Sequence, residues 1–166
     1  MEFEPDEINL EPLNRFIKAV NSPAPPYAKI GILGKNVQRD GKGSSNSEIG
    51  AAHEYGSPEK GLPVRSWLRM PLTDHLPGVL ENTDLLGEDK LKEVIKEGTI
   101  EPWMETVANL AEGTCKESFT NNGYGTWEEL SERYEEWKDQ WYGTGQILVA
   151  SGQLQDSVTH EIVGGK

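Results

Sequence analysis

His53 and Glu54 stand side by side in the run HEYGSPEKGLPVRSWLRMPL, residues 53–72, and together make the first half of a helical zinc-protease signature. That site needs a second imidazole four residues after the first, so that two ligands share a helix face, and position 57 is Ser57. His75 and His160 lie in unrelated segments. His53 therefore reads as a packed or hydrogen-bonded histidine at a helix end, its charge favoured by the helix dipole. A cysteine nucleophile needs a base and an electropositive, open setting. Cys115 falls on the apolar side of a helix beside Lys116 and Glu117, and reads as a buried structural thiol. Ser151, in ASGQLQDS, looks superficially like an active-site serine loop, but the strained Gly-x-Ser-x-Gly turn is missing and a helix cap is the better reading. The glycines of GILGKNVQRDGKG follow a strand without Walker spacing. The expectation is no catalytic residue, no metal site and no cofactor, with a hydrolase using His53 or Ser151 as the enzyme alternative.

The elements that must position these residues follow from spacing. NLEPLNRFIKAVN places Leu13, Phe16, Ile17 and Val20 on one helical face with Asn21 as its stop. SPAPP delivers the chain into a strand, Tyr27 to Leu33, with Ala28, Ile30 and Ile32 on one side. A long polar loop is predicted at about 35–46, and an arm at about 1–9. Ser47 is expected to cap the short helix EIGAAHEY, closed by Gly56. LPVRSWLRM alternates as a strand or an extended arm ending at Pro71, after which Pro77-Gly78 should break any helix. EDKLKEVIKEG predicts a helix stopped by Gly98, and the longest, central helix is expected from about Glu101 to Phe119. NNGYGTW is a glycine turn, and Thr126 with Glu129 predicts a capping box for WEELSERYEEWKDQW. That helix would carry Trp127, Leu130, Tyr134, Trp137 and Trp141 on one stripe, as core or as a surface for another subunit. Gln146 to Ala150 reads as a strand, Ser151 to Leu154 as a capped turn, and Val158 to Val163 as a last strand. The fold class is α+β: a small antiparallel or mixed sheet packed with helices, in a single domain.

One cysteine in 166 residues leaves no internal disulfide and no multi-cysteine metal site. The acidic, proline-broken start is not expected to act as a secretory leader, and no run approaches the roughly 18 apolar residues of a membrane span. A net charge of −12 repels phosphate, so DNA is not gripped, although a surface that DNA slides past would also be acidic. Arg65 and Arg69, flanking an extended apolar segment, suit pairing with acidic neighbours at a subunit boundary.

Three stretches then line up. KIGILG with SEIGAAHEYGSPEKGLPVRSWLRMPL, NNGYGTW, and ILVASGQLQDSVTHEIV, spanning about 28–163, resemble the ordered motifs of small neck and tail-completion proteins of tailed bacteriophages, Mu-like and related. The matching residues are His53, Glu54, Tyr55, Gly56, Pro63, Arg65, Ser66, Trp67, Leu68 and Arg69, then Gly123, Gly125 and Trp127, then Ser151, Gly152, Gln153, Leu154, Asp156 and Ser157. The acidic, aromatic segment with Trp137 and Trp141 departs from the family, whose equivalent is shorter and more basic; Ser151 stands where Thr is common. The resemblance implies a non-enzymatic virion structural protein, assembled in the host cytoplasm. It implies a ring of copies, hexameric or dodecameric, at the head-tail junction or tail top, around the DNA channel. Head-completion or adaptor proteins and tail-terminator or tail-tube proteins would be its neighbours. The alternative from composition is an acidic interaction protein, a DNA mimic or inhibitor of a basic enzyme.

Overall fold

Leu13, Phe16, Ile17 and Val20 recur at helical spacing and form α1, Glu11–Val20, in a computed structural model that describes residues 9–37, 43–85 and 87–164. Asn21 ends α1 as expected, and its side-chain amide donates to the Ile17 carbonyl (2.9 Å). Residues 1–8 of the expected arm and 38–42 of the expected polar loop lie outside the described residues; the loop's first residues form a short 3-10 turn, Gly34–Val37, and its last, Asn46, opens the next helix.

β1, Tyr27–Ile32, pairs antiparallel with the last element, β2, Val158–Val163, in the register Ala28 to Ile162, Ile30 to His160 and Ile32 to Val158. Side chains two apart share a face. One face of this two-stranded sheet therefore carries Ile30, Ile32 and Val158, and it packs on α5, Glu101–Thr120, the longest helix. The fold is α+β, with seven α-helices among the described residues. α4, Glu88–Glu97, ends at the left-handed Gly98 and packs on α1. The core joins Trp67, Cys115, Phe119, Trp127, Ile147, Leu154 and Val158. Phe119 is its centre: the Trp67 ring lies 5.9 Å away at 44° and the Trp127 ring 5.9 Å away edge-on.

Several local expectations are corrected. α2, Asn46–Tyr55, is capped by Ser45, not Ser47, because Glu48 lies three residues on and completes a capping box with it. The 62–70 segment is no strand: beyond the isolated bridge at Leu62 it has no regular structure to residue 66, bends at 67–68 and is helical from 69. Nor do prolines break the helical stretch beyond it. Pro71 sits in a first turn, where no amide donor is needed, and one wide π turn, Pro71–His75, closes by Leu76 N–H donating to the Pro71 carbonyl. Pro77 then falls at the start of α3, Leu76–Asn82.

The acidic aromatic helix, α6, begins at Glu132 and ends at Tyr142, so Trp127 and Leu130 precede it. Thr126 donates to the Gly123 carbonyl instead of capping, while Trp127 is held in the core. Residues 146–150 form no strand: the chain turns at 147–148, closed by Val149 N–H donating to the Gln146 carbonyl (3.3 Å), with Leu148 at φ 58° and Ile147 buried in the core. Gly152, at φ 79°, starts α7, Gln153–Asp156, and Ser151 is an exposed neighbour, not its cap.

Candidate functional site

The end of α2 turns Glu54 inward until it is 4% exposed. After Gly56 the chain reverses through a tight turn bridged by Ser57 and Leu62, and returns along the helix end, where Arg65 N–H donates to the His53 carbonyl (2.7 Å). This return lays the 66–69 backbone across the Glu54 carboxylate. Glu54 accepts from the Ser66 hydroxyl (2.7 Å) and from the amides of Trp67 (2.9 Å), Leu68 (3.0 Å) and Arg69 (3.2 Å). A carboxylate 54 residues into the chain thus caps a helix that starts at 69. Burying such a charge costs several kcal/mol unless hydrogen bonds replace its water. Four do so here, and the positive end of the helix adds to them.

The same joint orders both tryptophans. Trp67 Nε1 donates to the Gly50 carbonyl (2.8 Å), and Trp127 Nε1 donates to the Ser66 carbonyl (3.2 Å). Asn122, Gly123, Tyr124 and Gly125 are four consecutive left-handed residues, which swing the chain around so that Trp127 enters the core. Gly123 is needed twice: its φ is 66°, and a Cβ there would lie 2.2 Å from Trp127 Nε1. Tyr124 is held in its strained conformation by an N–H bond to Asn121 Oδ1 (2.8 Å), by its hydroxyl donating to the Thr114 carbonyl (3.0 Å), and by stacking on His75 at 3.6 Å.

Beside the joint opens a cleft of about 460 Å³, lined by His53, Pro63 and Arg65, by Glu128, Tyr134 and Lys138, and by the 150–154 segment. Two cations are buried here. Arg65, 6% exposed, donates through Nη2 to the Glu128 carbonyl (2.9 Å), and its Nε has no partner. Lys138, 4% exposed, donates to the Gln146 carbonyl. Burial, then the neighbouring Arg65, lowers the Lys138 pKa. His53 is lowered to about 4 by burial and by Arg65, and its Nδ1 has no partner. The dipole of α2 does not keep it charged: desolvation and a neighbouring guanidinium outweigh a helix end. A base protonated only near pH 4 is poorly matched to proton transfer at neutral pH. Cys115 is fully buried, and burial pushes its thiol up to about 12.

Of the residues singled out by sequence, the structure gathers Glu54, Arg65, Trp67 and Trp127 in one joint with Arg69, whose Nε lies 4.0 Å from Glu54. His53, Pro63, Ser151, Gly152 and Leu154 line the adjoining cleft, and buried Ser157 donates to the Leu154 carbonyl (2.6 Å). Tyr55, Trp137 and Trp141 belong to neither: they are 71%, 45% and 68% exposed. Arg65 is consumed within the subunit, which corrects its expected place at a subunit boundary, while the Arg69 side chain is 65% exposed.

Sequence reasoning missed Lys138 and a second charged cluster. His160, on the α5 side of β2, bonds through Nδ1 to Glu112 (2.7 Å) and through Nε2 to Glu105 (3.0 Å). Its place in the alternation Val158, His160, Ile162 was a usable signal. Among the described residues no group of three His, Cys, Asp or Glu side chains is arranged to hold a metal ion, and no helix is long and apolar enough to cross a membrane. Compared with protein-family models, curated proteins and solved structures, the chain matches none.

Proposed function

We propose that this chain is a structural subunit of a tailed-bacteriophage particle, assembling as a ring of copies at the head-tail junction or the top of the tail around the DNA passage. The observation that carries the reading is the use to which the motif residues are put. Glu54, Ser66, Trp67 and Trp127 come from two of the three stretches that carry the resemblance, and they are tied into one hydrogen-bonded joint. Leu154 and Ser157, from the third, are buried in or beside the same core. Glu54, half of the His-Glu pair that suggested chemistry, is thus engaged in architecture. A rigid joint of this kind suits a subunit that must present fixed surfaces to neighbours. The acidic surface suits a passage through which DNA moves without sticking.

The test is localisation together with assembly. Antibody labelling of purified particles should mark the neck or tail top, and sedimentation velocity of the purified protein with its neighbours should give a closed oligomer. A monomer absent from every mature particle would overturn the proposal.

A further inference from the structure

α6 is an 11-residue helix, yet among the described residues it makes no extensive contact with any other helix or strand. Its one buried side chain is Lys138. A helix this short is marginal in water without packing on an apolar face. Its apolar residues are nevertheless left largely open: Trp137, Trp141 and Tyr142 are 45%, 68% and 50% exposed, and Tyr134, which also lines the cleft, is 49% exposed. The rings order one another, Tyr134 stacking on Trp137 at 5.6 Å and Trp137 meeting Tyr142 at 5.9 Å edge-on. Clustered tryptophan and tyrosine with restricted rotamers are the composition of an interface centre, not of a solvated helix.

Charge selects the occupant. Residues 128–142 hold six carboxylates, Glu128, Glu129, Glu132, Glu135, Glu136 and Asp139, against Arg133 and the buried Lys138. Glu135 and Asp139 stand two turns and one turn before Tyr142, so the acidic face abuts the aromatic one. Glu132, Glu135, Glu136 and Asp139 line a shallow acidic depression and form no ion pair among the described residues. A second copy would bring a net charge of −12 toward this surface, and DNA would bring phosphate. We infer that the outward face of α6 docks a different protein, one presenting lysines or arginines beside an apolar ridge. The rings would take the ridge and the guanidinium or ammonium groups, and the carboxylates would fix the register. This names the chemistry of one neighbour and rests on the reading of the chain as an assembly subunit.

The probe is a synthetic amphipathic helical peptide of leucine and lysine, with leucine-glutamate and serine-lysine peptides of the same length as controls. Titration of the full chain, followed by tryptophan emission and calorimetry, should show the leucine-lysine peptide binding at least about tenfold more tightly than either control. The W137S/W141S variant should lose about tenfold in affinity with an unchanged thermal midpoint, and E135Q/D139N should lose affinity and salt dependence together. Equal binding of all three peptides, or wild-type affinity in W137S/W141S, overturns the inference. Sedimentation velocity on the same samples separates it from the ring reading. Oligomers lost in W137S/W141S would make the occupant a second copy and overturn the inference, whereas peptide binding by a chain that never assembles would uphold it while the ring reading failed.

Discussion

Glu54 decides how a loop becomes the start of a helix, and its energetics are set by asymmetry. Two of its four donors, the Ser66 hydroxyl and the Trp67 amide, are buried with it and the bonds from the other two are partly buried, so removing the acceptor leaves unpaired donors, whereas keeping the shape and removing the charge weakens every bond. Glu54→Gln should cost about 2–4 kcal/mol in urea unfolding, and Glu54→Ala at least as much. An unchanged midpoint in both variants would refute the capping role. The two histidines act in opposite senses with pH. His160 is raised by hydrogen bonding to Glu105, against burial, and with help from Glu112, so its stabilisation is complete below the unfolded value near 6.5 and disappears as pH rises through the folded value. His53 is depressed to about 4, so it is neutral in the folded chain and its contribution falls as pH drops from about 6.5 toward 4. His160→Gln should flatten the stability profile on the alkaline side of 6.5. His53→Gln should flatten it on the acid side, read by denaturant unfolding across pH.

At the scale of elements, close approach matters more than propensity. Gly50 in α2 lets Trp67 lie against the helix: a Cβ there would meet Ile32 Cδ1 at 2.8 Å and Trp67 Cζ2 at 2.9 Å. Gly50→Ala, favourable to an isolated helix, should instead destabilise the protein by about 1–3 kcal/mol through overpacking. Gly123→Ala combines a left-handed φ with a collision against the Trp127 ring. It should lower the thermal midpoint further, and its tryptophan emission should blue-shift less on folding, since Trp127 would no longer reach the core. Gly113 in α5, whose Cβ would meet nothing, is the control: Gly113→Ala should be neutral or stabilising.

At the scale of the molecule, the sheet closes the chain on itself. β1 lies near one end of the described residues and β2 near the other, so pairing them bridges almost the whole sequence and buries Val158 against α5. Non-local closure of this kind is entropically costly, and the structure depends on it. Truncation after Ser157 should abolish the cooperative thermal transition, because β1 loses its only partner strand among the described residues and the core loses Val158. A sharp transition retained by the truncated chain would place the folding unit elsewhere.

Where burial is decided by a repeat along one element, the sequence was sufficient. α1, α4, α5 and both outer strands lie where spacing put them, and Cys115 is buried because its side of α5 is apolar. The joint was only half legible: its residues were flagged together, but not that Glu54 caps a helix 15 residues later, since a cap made across a turn leaves no local signature. Alternation in VRSWLR imitates a strand; Glu54 makes it a helix entrance. Thr126 and Glu129 imitate a capping box; Trp127 in the core and Arg65 on the Glu128 carbonyl keep that stretch extended. Propensities of a few tenths of a kcal/mol per residue yield to buried hydrogen bonds and rings worth more. Tertiary packing alone determined which tryptophans went inside, Trp67 and Trp127, and which, Trp137 and Trp141, were left facing out.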